Sequence, residues 1–266
     1  MPARFERRIN LSLFRFSSKL FCPQFFGERV RSQTKPAWSG ILYLVDRMIR
    51  LINGFLLSYG PESVKRRIWE KQYSGPKWLF RDHTTGDRLY SHLEQHAHHG
   101  NILDLGCGSG NTAAELADSA YECYIGVDIS EVALEKARTR SRECGREDKN
   151  QFVRADFLAW NPDPSQQFDV ILFRESMYFV PVQKVKDLLL RYSRHLREGG
   201  VFIVGLYIAN KQTRRDKARP STMLRIMETE FEVVEKREVE HAARPTIIVF
   251  RPKQENENAE TVERAS

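Results

Sequence analysis

A chain of 266 residues can bury one sizeable core, and 41% hydrophobic with 29% charged residues is the make-up of a globular domain. Four cysteines, Cys22, Cys107, Cys123 and Cys144, form no C-x-x-C pair; this excludes a small disulfide scaffold or short-spaced zinc module and points to reduced, cytoplasmic thiols. The net charge of +7 is concentrated at the front, where residues 1–35 carry eight Arg and Lys against Glu6 and Glu28, a balance of +6.

The first segment, 1–60, reads as a basic, amphipathic extension. Arg7-Arg8 before "INLSLF" resembles an export signal, but Arg15 and Lys19 interrupt the apolar run and no small-residue cleavage site follows. Between Ile41 and Leu57, Asp46, Arg47 and Arg50 exclude a membrane span, since each would cost about 2.5–3.5 kcal/mol at the bilayer centre. The spacing of Ile41, Leu44, Val45, Met48, Ile52 and Phe55 predicts a helix with one apolar stripe. Packing on its own protein is the commoner fate of such a stripe. The alternative is peripheral contact of residues 1–57 with the inner face of a membrane, assisted by the basic arm.

Residues 61–252 read as the main domain. Helices with breaks at Pro61 and Gly75-Pro76 come first, and Tyr73, Trp78 and Phe80 are bulky enough to form a lid or to pack a helix on a sheet. The histidines of "SHLEQHAHHG" suit a helix C-terminus ended by Gly100 better than a metal site, and His195 reads the same way. From residue 101, short apolar runs alternate with helical segments. Strands are predicted at Asn101–Leu105, Tyr121–Val127, Gln151–Ala155, Phe168–Phe173 and Val201–Tyr207, and helices at Thr112–Asp118, Glu131–Cys144 and Val182–Leu196. That alternation implies a parallel α/β sheet with helices on both faces. Phe231–Val239 and Thr246–Arg251 are two extended runs expected to pair antiparallel at the sheet edge. Residues 253–266 are polar and expected to be a disordered tail.

The turn "LDLGCGSGN" after the first strand carries the functional signal. Its spacing is G-x-G-x-G (Gly106, Gly108, Gly110), one residue short of the dinucleotide fingerprint G-x-G-x-x-G. Asp104, just before the glycines, would repel a pyrophosphate but suits a ligand bearing a sulfonium and an ammonium group, namely S-adenosylmethionine. Asp128 ends the second strand, where an acid can take two ribose hydroxyls; nicotinamide sites share that feature. Asp156 ends the third and is placed for an adenine amine, with Phe157 and Ile129 as walls for the ring. A nicotinamide dehydrogenase is the competing cofactor reading.

With these motifs the chain resembles the class I S-adenosylmethionine-dependent methyltransferases over roughly residues 65–252. The resemblance rests on "ILDLGCGSG", "GVDIS", "RADF", "FDVILFRESMYFV" and "LREGGVFIVGLY". It implies a Rossmann-like sheet of seven strands with the last antiparallel. It further implies that Asp104 and Gly106 face the donor's methionine part and Asp128 its ribose, with Cys107, Gly108 and Gly110 also on the cofactor side. The chain has neither the N/D/S-P-P-Y/F segment of adenine amino-methylating enzymes nor the Pro-Cys pair of cytosine-5 enzymes, so no DNA base is expected as substrate. A weaker resemblance, in "WEKQYSGPKWLF", is to bacterial enzymes that modify saccharides, and implies a small acceptor such as a sugar or lipid-linked sugar. Arg174 stands among the cofactor-side residues, where a small polar residue is usual. Glu175 is the candidate general base or acceptor-hydroxyl ligand, unless it caps a helix or pairs with Arg174, and Tyr178 is a candidate positioning group. A membrane- or nucleic-acid-associated protein that binds the cofactor without catalysis is the alternative function.

Overall fold

The computed structural model describes residues 39–75, 87–206, 214–237 and 246–253. The basic arm, Trp78, Phe80 and the polar tail from residue 254 lie outside them. In chain order the elements are α1 (Ser39–Tyr59), α2 (Glu62–Tyr73), α3 (Leu89–Ala97), β1 (Asn101–Leu105), α4 (Asn111–Glu115), β2 (Cys123–Asp128), α5 (Glu131–Glu143), β3 (Asn150–Arg154) and β4 (Phe168–Arg174). They continue with α6 (Val185–Ser193), β5 (Leu196–Leu206), α7 (Arg214–Glu230), β6 (Glu232–Arg237) and β7 (Thr246–Arg251).

Seven strands form one sheet in the order β3-β2-β1-β4-β5-β7-β6. β1 through β5 pair parallel, and β7 runs antiparallel to both of its neighbours. The two C-terminal strands do pair antiparallel at the sheet's edge, with β6 outermost and β7 between β6 and β5. The cause is hydrophobic. Ile247, Ile248, Val249 and Phe250 are buried on both faces, whereas β6 has Val233 and Val234 exposed and suits the rim.

Side chains alternate along the strands and supply two cores. Leu103, Leu105, Ile171, Phe173, Phe202 and Val204 face α6 and α7, while Ile102, Val170, Leu172, Val201 and Ile203 face α3 and α4. Each fully buried Leu, Ile or Phe contributes about 1.5–3 kcal/mol, so the strand interiors dominate the stabilisation. Strand β5 begins at Leu196, earlier than its apolar run, because pairing with β4 resumes across a bulge between Phe168 and Val170. Helix α7 escaped the sequence reading, since its first half is polar and contains Pro220; its buried stripe is Met223, Leu224 and Met227.

Two further expectations are corrected. Helix α3 does end at the histidines, but His98 (φ 47°) and His99 (φ 62°), not Gly100, take the left-handed conformation. Gly100 is needed instead for space, because a Cβ there would collide with the Asp169 carboxylate. The α1 stripe does not pack on the domain: Leu44, Val45, Met48, Ile52 and Phe55 are all exposed.

Candidate functional site

The carboxyl ends of β1, β2, β3 and β4 meet at the glycine turn between β1 and α4. Gly106, Gly108 and Gly110 all have positive φ, at 88°, 58° and 76°. Space and conformation both demand glycine here. A Cβ on Gly106 would run into Ser176, one on Gly108 would lie 2.7 Å from the Tyr73 hydroxyl, and one on Gly110 would lie 2.7 Å from Ala137 Cβ. The turn is therefore wrapped from three sides, by β4's exit, by α2 and by α5. Arg140 of α5 adds hydrogen bonds to the Ser109 carbonyl (3.0 Å) and hydroxyl (3.1 Å) and to Asn111.

Asp104 and Tyr124 share a face of neighbouring strands, and the Tyr124 hydroxyl donates to Asp104 Oδ2. Oδ1 is buried and accepts no hydrogen bond among the described residues. Burial pushes the Asp104 carboxyl up to about 6, against the opposing effects of the Tyr124 hydrogen bond and the Arg174 charge. The orphaned oxygen of a buried acid beside a bare glycine turn fits a cationic ligand and does not fit a pyrophosphate.

Asp128 knits the turn to β2. Its Oδ2 accepts from the Gly108 N–H (3.0 Å) and its Oδ1 from the Ser130 N–H (2.9 Å). Burial lifts this carboxyl to about 6 as well, although the same backbone donors pull the other way. Cys107 lies beneath, its sulfur near the space left by Gly126, and burial pushes its thiol well above the ordinary value. Ile129, one residue beyond Asp128, is partly exposed.

Asp156 follows β3, but it is not free to face a ligand alone. Lys65 of α2 donates to its Oδ2 at 2.8 Å, with both side chains only 10% exposed, and the Leu158 N–H donates to Oδ1. Phe157 next to it packs edge-to-face on Phe173, 5.9 Å between ring centres, and approaches the Gly106 position to 3.7 Å. Its carbonyl accepts from Tyr192 Oη (2.9 Å) and Arg191 (2.7 Å), both on α6.

At the end of β4, Arg174 pairs with Asp87 at 2.9 Å and lies over the Tyr90 ring, 5.2 Å from its centre. The Arg174 guanidinium thus forms a salt bridge with Asp87. Glu175 has a left-handed backbone (φ 57°), which turns the chain toward the sheet top, and its N–H donates to the Gly205 carbonyl at 3.2 Å. Ser176 then donates to the Leu105 carbonyl, fixing this exit against the glycine turn. Tyr178 lies in the helical turn Met177–Phe179, whose Phe179 meets Trp69 of α2 at 4.8 Å in a T-shaped contact.

Asp104, Gly106, Cys107, Gly108, Gly110 and Asp128 are thus brought together at one turn, with Phe157, Arg174 and Glu175 around it. Sequence reasoning missed Lys65, Asp87, Tyr124, Arg140, Arg191 and Tyr192. No local pattern marks them, since each acts across the fold; only Tyr124 was foreseeable, as an alternate residue on the strand beside Asp104.

Residues 102–200 match a family model described as a methyltransferase domain. An mRNA cap guanine-N(7) methyltransferase of Schizosaccharomyces pombe is 32% identical over 109 residues, covering 38% of this chain and 30% of that protein. A 27-O-demethylrifamycin SV methyltransferase of Amycolatopsis mediterranei is 31% identical over 107 residues, 40% of this chain and 38% of that protein. The chain therefore spans between 30% and 38% of these relatives' length. Among solved structures, the N-methyltransferase NodS of Bradyrhizobium japonicum WM9 with S-adenosyl-L-homocysteine shares the fold at a TM-score of 0.55 and 17% identity, over 71% of this chain and 98% of that one. Residues 102–200 are thus similar to a methyltransferase domain, set within a fold shared with NodS.

Proposed function

We propose that this protein transfers a methyl group from S-adenosylmethionine to an oxygen or nitrogen of a small-molecule acceptor. The observation that supports the reading is the locking of β4's exit, next to Glu175, onto the glycine turn through the Ser176 hydroxyl and the Leu105 carbonyl. A relative whose name specifies a small acceptor, 27-O-demethylrifamycin SV, supports the acceptor class. A saccharide or lipid-linked sugar is the first class to screen, on the strength of the "WEKQYSGPKWLF" resemblance.

The donor supplies a carbon already activated by its sulfonium, so the protein's tasks are positioning and proton removal. Asp104 Oδ1 takes the donor's cationic end, with the bare backbone of Gly106, Cys107, Gly108 and Gly110 beside it. Asp128 holds the turn through Gly108 and Ser130 and offers its remaining lone pairs to the ribose. Asp156 and Lys65 fix the adenine end, between Ile129 and Phe157. Arg174, braced by Asp87, presents a positive charge toward the methionine end. Glu175 removes the acceptor's proton and Tyr178 orients the acceptor.

The test is transfer of labelled methyl from the donor into saccharide and lipid extracts by the purified protein and by Glu175→Gln. Glu175→Gln is expected to bind S-adenosylhomocysteine as the parent does and to lose about 100-fold in turnover. Unchanged turnover removes Glu175 from the chemistry. Tight binding of NADH with none of S-adenosylhomocysteine would overturn the donor assignment.

A further inference from the structure

Helix α1 presents its apolar face away from its own domain. Leu44, Val45, Met48, Ile49, Leu51, Ile52, Phe55 and Tyr59 are all exposed, Leu51 and Phe55 to 63%. At 100° per residue these eight positions fall within an arc of about 160°. The opposite arc holds Leu57 and Ser58, which are buried against the domain. A helix that served only to close the core would have the reverse polarity.

The helix is anchored rather than loosely appended. Gln183 donates to Tyr59 Oη at 3.0 Å, and Arg219 of α7 donates to Ser58 Oγ (3.2 Å) and to the Val180 carbonyl (2.8 Å). Its carboxyl end is thereby tied to the segment after Met177–Phe179, so the outward face has a defined direction beside the acceptor rim. No helix among the described residues is long and apolar enough to cross a membrane.

We infer that α1 is a surface anchor that lies in the headgroup region of an anionic lipid bilayer. Charge selects this occupant. Directly upstream, residues 1–35 carry +6, and exposed Arg67 and half-buried Arg66 follow on α2. An apolar stripe continuous with so basic a segment is complemented by one surface that is negative outside and apolar within. Two copies packed face to face in parallel would bring two +6 arms together. Folding the arm back over α1 would bury its apolar residues but leave its eight cations unmatched. The inference does not depend on methyl transfer, and its test reads binding alone.

The experiment is cosedimentation of the full chain with phosphatidylcholine vesicles, with and without about one-third phosphatidylglycerol. Three proteins are compared: the parent, Leu51→Asp with Phe55→Asp, and Arg7→Glu with Arg8→Glu. Both substituted positions on α1 are exposed, so the fold and S-adenosylhomocysteine affinity are expected to persist and serve as the folding control. The parent is expected to pellet with anionic vesicles, less so with added salt, and each double variant to bind about tenfold more weakly. The idea is overturned by equal binding of parent and Leu51/Phe55 variant. It is overturned equally by absence of the parent from anionic vesicles, by a dimer that the α1 variant dissolves, or by tighter vesicle binding of the Arg7/Arg8 variant.

Discussion

At the scale of single residues, the most consequential groups are two buried carboxyls that sit well above their ordinary titration range. Asp104 and Asp128 hold their protons to about pH 6 in the fold, against 3.8 for an unperturbed aspartate. Between those values the folded chain binds more protons than the unfolded one, so stability is fully present below the lower value and declines as pH rises through 6. Each carboxyl accounts for roughly 3 kcal/mol at most, and the two do not add, because each charge raises the other's cost. S-adenosylhomocysteine carries an ammonium but no sulfonium, and that ammonium prefers the ionised acid, so its affinity is expected to move the opposite way. Thermal unfolding from about pH 5 to about pH 7 checks both: the melting temperature without ligand falls while the ligand-induced increase grows. Asp104→Asn should flatten that growth; a ligand effect that shrinks with pH would place the cation elsewhere.

Gly108 illustrates why the turn tolerates so little. Its φ of 58° costs a side-chain-bearing residue about 1 kcal/mol or more, and a new Cβ would lie 2.7 Å from the Tyr73 hydroxyl. Gly108→Ala should therefore weaken S-adenosylhomocysteine binding by about tenfold or more in calorimetric titration. Adding Tyr73→Phe, which removes the clashing oxygen, should recover part of that loss. No recovery would show that backbone conformation alone sets the requirement.

At the scale of elements, the site is built by helices that reach in from outside the strand-turn-helix unit. Helix α2 contributes Lys65 to Asp156 and Tyr73 to the glycine turn, and its last carbonyl accepts from Lys136 of α5 at 2.8 Å. Removing the lysine alone strands a buried carboxylate. Lys65→Ala is expected to cost about 3–5 kcal/mol in urea unfolding, whereas Lys65→Met with Asp156→Asn should cost much less. Equal costs would mean that packing of the lysine stem, not its charge, holds α2 in place.

The same reach explains what could be read beforehand. The strands β1, β3 and β4, helix α5 and the glycine turn are local in sequence, each set by a run of apolar residues and a terminating acid or glycine, and they were legible nearly to the residue. Lys65, Asp87 and Tyr192 act on partners 91, 87 and 35 positions away, and nothing near them in sequence records the pairing. Helix α7 was hidden by Pro220. The orientation of α1 was hidden for another reason: periodicity gives a stripe but not the side to which it points.

At the scale of the whole molecule, the proposed donor site and the proposed surface anchor lie at two ends of one chain segment. The sheet's carboxyl ends, β1 to β4, hold the donor's seat, and the elements before β1 roof it. Helix α1 then continues away from the roof with its apolar side outward. Trp69 and Phe179 lie beside Tyr178, and Gln183, shortly after Phe179, holds the carboxyl end of α1, so the proposed acceptor rim and the proposed anchor share one edge.

The position of β7 bears on how this chain comes into being. Its residues 246–251 fill the gap between β5 and β6, yet they are made after every other element of the sheet. At roughly 5–20 residues per second, the ribosome leaves the open edge of β5 unpaired for several seconds after Leu206 has appeared. During that interval the donor's seat can already be in place while half of the sheet lacks its seal. Ligand capture by the growing chain and protection from aggregation thus become separate events in time, the first governed by the glycine turn and the second by the last apolar strand.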